Sequence, residues 1–127
     1  MSKTKTKKDV REFSTGATRD NEDGKLDFEG FLSPIVLERF GQYMHQHRKQ
    51  SNGQMRDSDN WQLGIPVVTY RKSLVRHLFQ AWGVWRGYKV FDNKGVRVEL
   101  VDALLAVVFN ALGYLHELLK TQQHGKK

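Results

Sequence analysis

Apolar residues recur at helical spacing along three stretches of the chain. The first is "LSPIVLERFGQYMHQHR", in which Val36, Phe40, Tyr43 and Met44 fall on one face. Ser33 suits the N-cap, because its hydroxyl can accept from the free N–H groups of a first turn. Pro34 suits the first helical position, where the missing N–H costs nothing, and Leu32 with Leu37 has the spacing of a hydrophobic staple. The second stretch runs from about Thr69 to Trp85, with an apolar stripe of Tyr70, Leu74, Leu78, Trp82 and Trp85. The third opens near Val96, frays after Lys120, and contains the most apolar run of the chain, "VELVDALLAVVFNALGYLHELL". β-Branched residues at 96, 98, 101, 107 and 108 are compatible with a strand over part of it. Its length and 3.6-residue period favour a helix.

The segments between these stretches are polar. Residues 15–30, "TGATRDNEDGKLDFEG", read as a loop with turns, and "GYKVFDNKG" breaks the pattern with a turn at Asn93 to Gly95. Residues 49–67, "KQSNGQMRDSDNWQLGIPV", form a long connection of the kind that is often functional. The expected fold is therefore all-α, with three main helices in a small bundle. A disordered basic arm over 1–14, a single helical domain over 15–119 and a frayed basic tail over 120–127 complete the organisation. At 127 residues the chain supports one core, not two. The apolar sector of the third helix is broader than two partner helices cover. The bundle is accordingly expected to be completed by self-association, with third helices pairing across a two-fold axis.

That third helix also carries Glu99, Asp102, Asn110 and Glu117. At about 100° per residue, Asp102 lies about 60° to one side of Glu99, Asn110 about 20° to the other, and Glu117 returns to the start. Ala103 and Ala106 fall in the same sector, while Leu104, Val108, Leu112, Leu115 and Leu119 gather opposite. The expectation is a packed leucine face and a narrow polar face spaced by alanines. A buried carboxylate needs a cation, a metal or hydrogen-bond donors. Its partner here is either a basic residue of another helix, or water, or a ligand. Arg76 in "YRKSLVRH" is placed either to neutralise Asp102 or to hold a phosphate. His77 reads as a satisfied helix histidine or as a base. Arg19, Lys25, Asn60 and Trp61 could contact a nucleotide, although Asn60 and Trp61 also suit a capped loop edge.

The net charge of +7 invites a nucleic-acid reading. Residues 1–11 contribute +4 and the last eight +3, leaving 13 basic and 13 acidic residues between 12 and 119. Charge confined to the ends attracts polyanions weakly, so specific nucleic-acid recognition is not expected. The absence of cysteine removes disulfides, thiolate chemistry and Cys-ligated zinc. No uninterrupted apolar run reaches a membrane span, and "MSKTKTKKDV" lacks the apolar segment of a secretory signal. A cytoplasmic protein without membrane contact is the expectation. "RDNEDGKLDFEG" is not an EF-hand loop, because aligning Gly24 with the invariant glycine puts Arg19 and Gly30 where acids are required. Walker A, GxGxxG, GxSxG and HExxH motifs are absent. Any chemistry would rest on carboxylates and magnesium.

Four segments, "TGATRDNEDGKLDFEGFLSPIVLERFGQYM", "RDSDNWQLGIP", "YRKSLVRHLF" and "FNALGYLHELL", together resemble a phage and prophage family named for the N-terminal domain of dATP/dGTP diphosphohydrolases. The resemblance covers residues 13–119. A more distant similarity is to the all-α MazG-type pyrophosphohydrolases, which hold Mg²⁺ on ExxE and ExxD pairs. Glu99-Leu-Val-Asp102 matches the second pair, whereas Glu38 has no acidic partner three residues away, and Ala103 stands where many family members carry histidine. The resemblance implies a Mg²⁺-dependent hydrolase that converts a purine (deoxy)nucleoside triphosphate to monophosphate and pyrophosphate. In that scheme Glu99 and Asp102 hold the metal, Arg76 with Lys25 or Arg19 faces the phosphates, Trp61 stacks on the base and Asn60 contacts the nucleotide. Asn110 and His77 orient base, sugar or water. Its setting would be a phage-infected or prophage-bearing cell. Two other readings share the same residues: a nucleotide-sequestering protein without turnover, and a structural protein with polyanion-binding tails.

Overall fold

A computed structural model describes residues 9–124. The chain divides into two compact units, one up to Pro34 and one from Ile35 onward. This boundary falls inside the single domain expected over 15–119. The fold is largely helical, and its first unit adds a small sheet that the all-α expectation did not contain.

In the first unit β1 (Val10–Glu12) pairs antiparallel with β2 (Thr18–Asp20), with Arg11 opposite Arg19. The turn between them is closed by Phe13 N–H to Ala17 O and Gly16 N–H to Phe13 O, both 2.8 Å. Gly16 takes φ 89°, a left-handed conformation that glycine adopts without a Cβ penalty. The hairpin replaces the disorder expected for residues 10–14, while residues 1–8 of that arm lie outside the described residues. Three-residue strands are too short for a period-2 signal, and only the cross-strand partner reveals them. Arg11 ties the hairpin to the loop after β2. It pairs with Glu22 at 2.9 Å, donates from Nε to Asp20 O, and lies 5.4 Å over the Phe13 ring. A four-residue helix, α1 (Phe28–Phe31), ends the unit, its first turn capped by Asp27 accepting from Gly30 N–H.

The second unit holds α2 (Pro34–Gln46) from its second residue onward, α3 (Val67–Trp85) and α4 (Leu100–His124). α2 starts on the proline predicted for its first position. α4 runs past Lys120, where fraying was expected, with Thr121 Oγ1 donating to Glu117 O at 2.9 Å; residues 125–127 lie outside the described residues. α3 and α4 form an antiparallel pair. Their link is a tight turn at the predicted place, with Asp92 Oδ1 accepting from Lys94 and Val96 N–H and Phe91 bridging to Arg97. Gly83 of α3 leaves room for this link, since a Cβ there would meet Val90 at 2.9 Å.

The packing of α4 is the reverse of the expectation. Ala103, Ala106, Asn110 and Gly113 are buried, whereas Leu112 is 51% exposed and Leu115 52%. Small residues win the interface because they let α3 approach closely. Tyr70 of α3, 1% exposed, lies so near Gly113 that any Cβ there would overlap its ring. Phe109 meets the same ring edge-on with centroids 6.0 Å apart. Leu104, Leu112 and Leu115 are too bulky for that approach and stay outside. α2 closes a second contact, with Tyr43 packed against Leu105 and Ala106 and flanked by Phe40 and Met44. On α3 only Tyr70 and Ala81 are buried, so the predicted stripe ending in Trp82 and Trp85 is half bare. Leu100–Gln122 is by length and composition long and apolar enough to cross a membrane, at mean hydropathy 1.4, since the average tolerates the polar residues that interrupt the run.

Two buried atoms at the α3–α4 contact, the Tyr70 hydroxyl and Glu117 Oε2, have no hydrogen-bond partner among the described residues. Burial, and secondly the charge of Glu117, raise the Tyr70 phenol above its ordinary 10.0. Burial and then Asp102 do the same for Tyr43. The unfolded phenols ionise near 10 while the folded ones remain neutral. Stability from this source is therefore complete below pH 10 and is lost as pH rises toward the folded pKa. Tyr70→Phe should flatten that alkaline decline. At neutral pH it should leave stability unchanged or raise it, since a buried unsatisfied hydroxyl costs about 1–3 kcal/mol. Urea unfolding at about pH 7 and about pH 11 checks both; a destabilised variant at pH 7 would mean that the hydroxyl is satisfied.

Candidate functional site

The long connection after α2 is ordered. Lys49 bridges Met55, Gln50 N–H donates to Gln54 O, and Asn52 Oδ1 accepts from Gln54 N–H, which makes a short hairpin turning at Gly53 with φ 86°. This brings Arg48 and Arg56 side by side: Arg56 N–H donates to Arg48 O, and Arg48 Nε to Arg56 O, each at 2.8 Å. The chain then makes a single 3₁₀ turn, Asn60–Leu63. There Trp61 lies half-buried, edge-on to His116 of α4 at 4.7 Å between centroids.

These segments wall a cleft of about 410 Å³ with the second half of α2, the middle of α3 and the middle of α4. Its aromatic surfaces are Tyr43, Trp61 and Phe109. Its charged groups are Arg48, Arg56 and Asp57, and its other polar groups include His45, His47, Ser58, Asn60, Ser73, His77 and Asn110. Two guanidinium groups against one carboxylate make the lining receptive to anions. His77 Nδ1 is 2.9 Å from Gln80 Oε1; with that oxygen accepting, Nδ1 carries the proton and Nε2 is the ring's acceptor. Asn110, 6% exposed, donates from Nδ2 to Ala106 O at 2.8 Å, which fixes its amide within the wall. His47 is held against the end of α2 by Tyr43 O at 2.8 Å and by the Tyr43 ring.

Of the residues singled out from sequence, Asn60, Trp61, His77 and Asn110 come together in this cleft. Arg76 does not. It is exposed on α3, with Nη2 3.4 Å from Ser73 Oγ. The basic partner of Asp102 is Arg39 of α2, whose Nη2 donates to Oδ1 at 3.0 Å. Glu99 is exposed just before α4. Arg19 lies on β2 and Lys25 in the loop after it, in the first unit. Sequence reasoning missed Arg48, Arg56 and His47. Arg48 and His47 sit in the basic run "HQHRK" at the end of α2, and Arg56 opens one of the four resemblance segments, so a signal was present.

Mg²⁺ is satisfied by one or two carboxylates, waters and substrate phosphates. Glu99 and Asp102 are the carboxylates that could supply such ligands, and Asp102 Oδ1 is already engaged by Arg39. Among the described residues no group of three or more His, Asp or Glu converges. Tyr43 links this pair to the cleft, since it lines the cleft while its phenol responds to the charge of Asp102. The Arg39–Asp102 pair is partly exposed, at 38% and 48%, and pairs of this kind contribute under about 1 kcal/mol. Asp102→Asn should therefore unfold within a few degrees of the parent in a thermal melt. A larger loss would give the pair a structural weight that its exposure does not predict.

Comparison with protein-family models, with curated proteins and with solved structures finds no match.

Proposed function

We propose that this protein binds a purine nucleotide in the cleft between α2, the 49–66 connection, α3 and α4. One observation carries the reading: a half-buried indole, two adjacent arginines, and the polar pair His77 and Asn110 line a single cleft of about 410 Å³. That volume is in the range of small-molecule sites. Trp61 offers a flat face for a base, and stacking is tolerant of base identity. Arg48 and Arg56 offer forked donors for phosphate oxygens. Asn110 and His77 offer hydrogen bonds for base, sugar or water.

Hydrolysis is the second reading, favoured by the Glu99–Asp102 pair and by the resemblance to dATP/dGTP diphosphohydrolases. There the two carboxylates would hold Mg²⁺ against the phosphates, and the metal would supply the charge that activates water for attack. The contribution of the chain itself is to orient the nucleotide and to neutralise its phosphates. Binding without turnover, the alternative in the sequence reading, is the better supported here, because neither carboxylate lines the cleft.

Both are tested together. Purified protein and Asp102→Asn are incubated with purine and pyrimidine triphosphates, with Mg²⁺ or chelator. Products are then separated by chromatography, and melting is followed in parallel. A purine nucleotide at 100 times its dissociation constant should stabilise the fold by about 2.7 kcal/mol. No shift with any nucleotide would end the binding reading. Monophosphate and pyrophosphate that vanish with chelator and in the variant would make the protein a hydrolase.

A further inference from the structure

α3 and α4 form one layer, and the cleft and α2 occupy one side of it. Helical geometry places the opposite side. On α4 it carries Leu104, Leu115 and Leu118, about 120–180° around from the buried Gly113 and Ala106; on α3 it carries Leu78, Trp82 and Trp85. All six are exposed, by 42–52%. We infer that this face is the interface with a second copy of the same chain, so that two α3–α4 pairs close a four-helix core with the two clefts facing outward.

Three observations select this occupant. First, among the described residues the unit buries only three large apolar side chains, Tyr43, Tyr70 and Leu105. Its buried apolar residues are Tyr43, Tyr70, Ala81, Ala103, Leu105 and Ala106, and half of these are alanines. The leucines and tryptophans that a helical core needs are those left on the bare face. A second copy supplies the same set across a two-fold axis, as isologous contacts require. Second, the extent is right. Two helices of 19 and 25 residues lying side by side offer roughly 30 Å by 20 Å, comparable with the ~800 Å² that each partner contributes to a stable complex. Third, the composition is that of a protein interface. At the α3 edge Phe79, Trp82, Arg86 and Tyr88 surround an apolar hollow, and aromatic residues with arginine are enriched where protein contacts are strongest. A lipid surface fits less well, since Arg71 stands within the same sector of α3 and Lys72 and Arg76 follow on its outer side.

The inference is independent of the nucleotide reading, because the face lies across the layer from the cleft. It is tested on the full chain by light scattering after size exclusion and by melting at several protein concentrations. The expected mass is about 30 kDa, twice the 14.8 kDa of one chain, with a melting temperature that rises with concentration. Leu115→Lys and Leu104→Lys should each lower the mass toward one chain or weaken the concentration dependence. Because the native chain has no cysteine, single-cysteine variants supply a readout that does not require monomers to fold. Leu115→Cys or Leu118→Cys should cross-link between chains, and an exposed control, Lys72→Cys, should not. A single-chain mass with a concentration-independent melt overturns the inference. So does association that survives both lysine variants, or protein that floats with lipid vesicles as monomer.

Discussion

Gly113→Ala is expected to destabilise the protein by more than the alanine can return through helix propensity. Alanine in place of a helix-interior glycine stabilises by about 1 kcal/mol. Against this, a Cβ at Gly113 would overlap Tyr70 Cε1 and Cζ, and the Tyr70 ring is buried, at 1% exposed. Forcing extra atoms into a packed contact costs about 1–3 kcal/mol, and this overlap belongs at the upper end of that range or beyond. The net loss should reach about 2 kcal/mol or more, which lowers the melting temperature by roughly 8–16 °C or more in a unit of this size. Gly41→Ala is the control. It is also a helix-interior change, in α2, and a Cβ there meets nothing within 4 Å. It should therefore stabilise. Two glycine-to-alanine changes of opposite sign isolate the contact from propensity. Pairing Gly113→Ala with Tyr70→Leu should recover part of the loss, since the two sites share one contact. A Gly113→Ala protein that melts at or above the parent temperature would refute the close approach of α3 to α4.

Trp61→Ala should produce the largest change in nucleotide affinity. Removing an aromatic that stacks on a base costs about 1–3 kcal/mol, which corresponds to roughly 5- to 150-fold in dissociation constant. Trp61→Phe should retain most of the affinity, because it keeps a flat ring. Arg56→Ala should weaken triphosphate binding more than monophosphate binding, while Arg56→Lys should rescue it only in part, because an ammonium does not reproduce the forked donors of a guanidinium. Trp61 also meets His116 edge-on, so each variant is melted without ligand to separate lost binding from lost folding. Titration calorimetry with a purine triphosphate reads the outcome. Equal affinity in Trp61→Ala and parent would remove Trp61 from the site, and equal affinity in the Arg56 variants would remove the phosphates from that end of the cleft.

Four of the residues lining the cleft were legible in the sequence. Asn60 and Trp61 are legible as residues of a long connection that could contact a nucleotide or cap the loop edge, and Asn110 and His77 as polar groups on apolar helices. Glu99 and Asp102 were legible as a pair, but where they lie depends on α2, whose Arg39 reaches across to Asp102. Arg48 and Arg56 were invisible as partners because the hairpin that joins them is a pairing between residues eight apart, with no periodicity to announce it.

The sequence by itself determined the three long helices, the proline start of α2 and the turn at Asn93 to Gly95. Each of these rests on local rules: a 3.6-residue period, a proline without an N–H, and an aspartate and glycine suited to a tight turn. The tertiary structure decided which face of α4 is inside. Both faces are compatible with a helix. The leucines bury more area, but the alanines and Gly113 allow α3 to come close enough for Tyr70 to be enclosed. That choice depends on the shape of a second helix, which no periodicity in α4 contains. It is also what carries Asn110 to the wall of the cleft and leaves Leu115 on the surface.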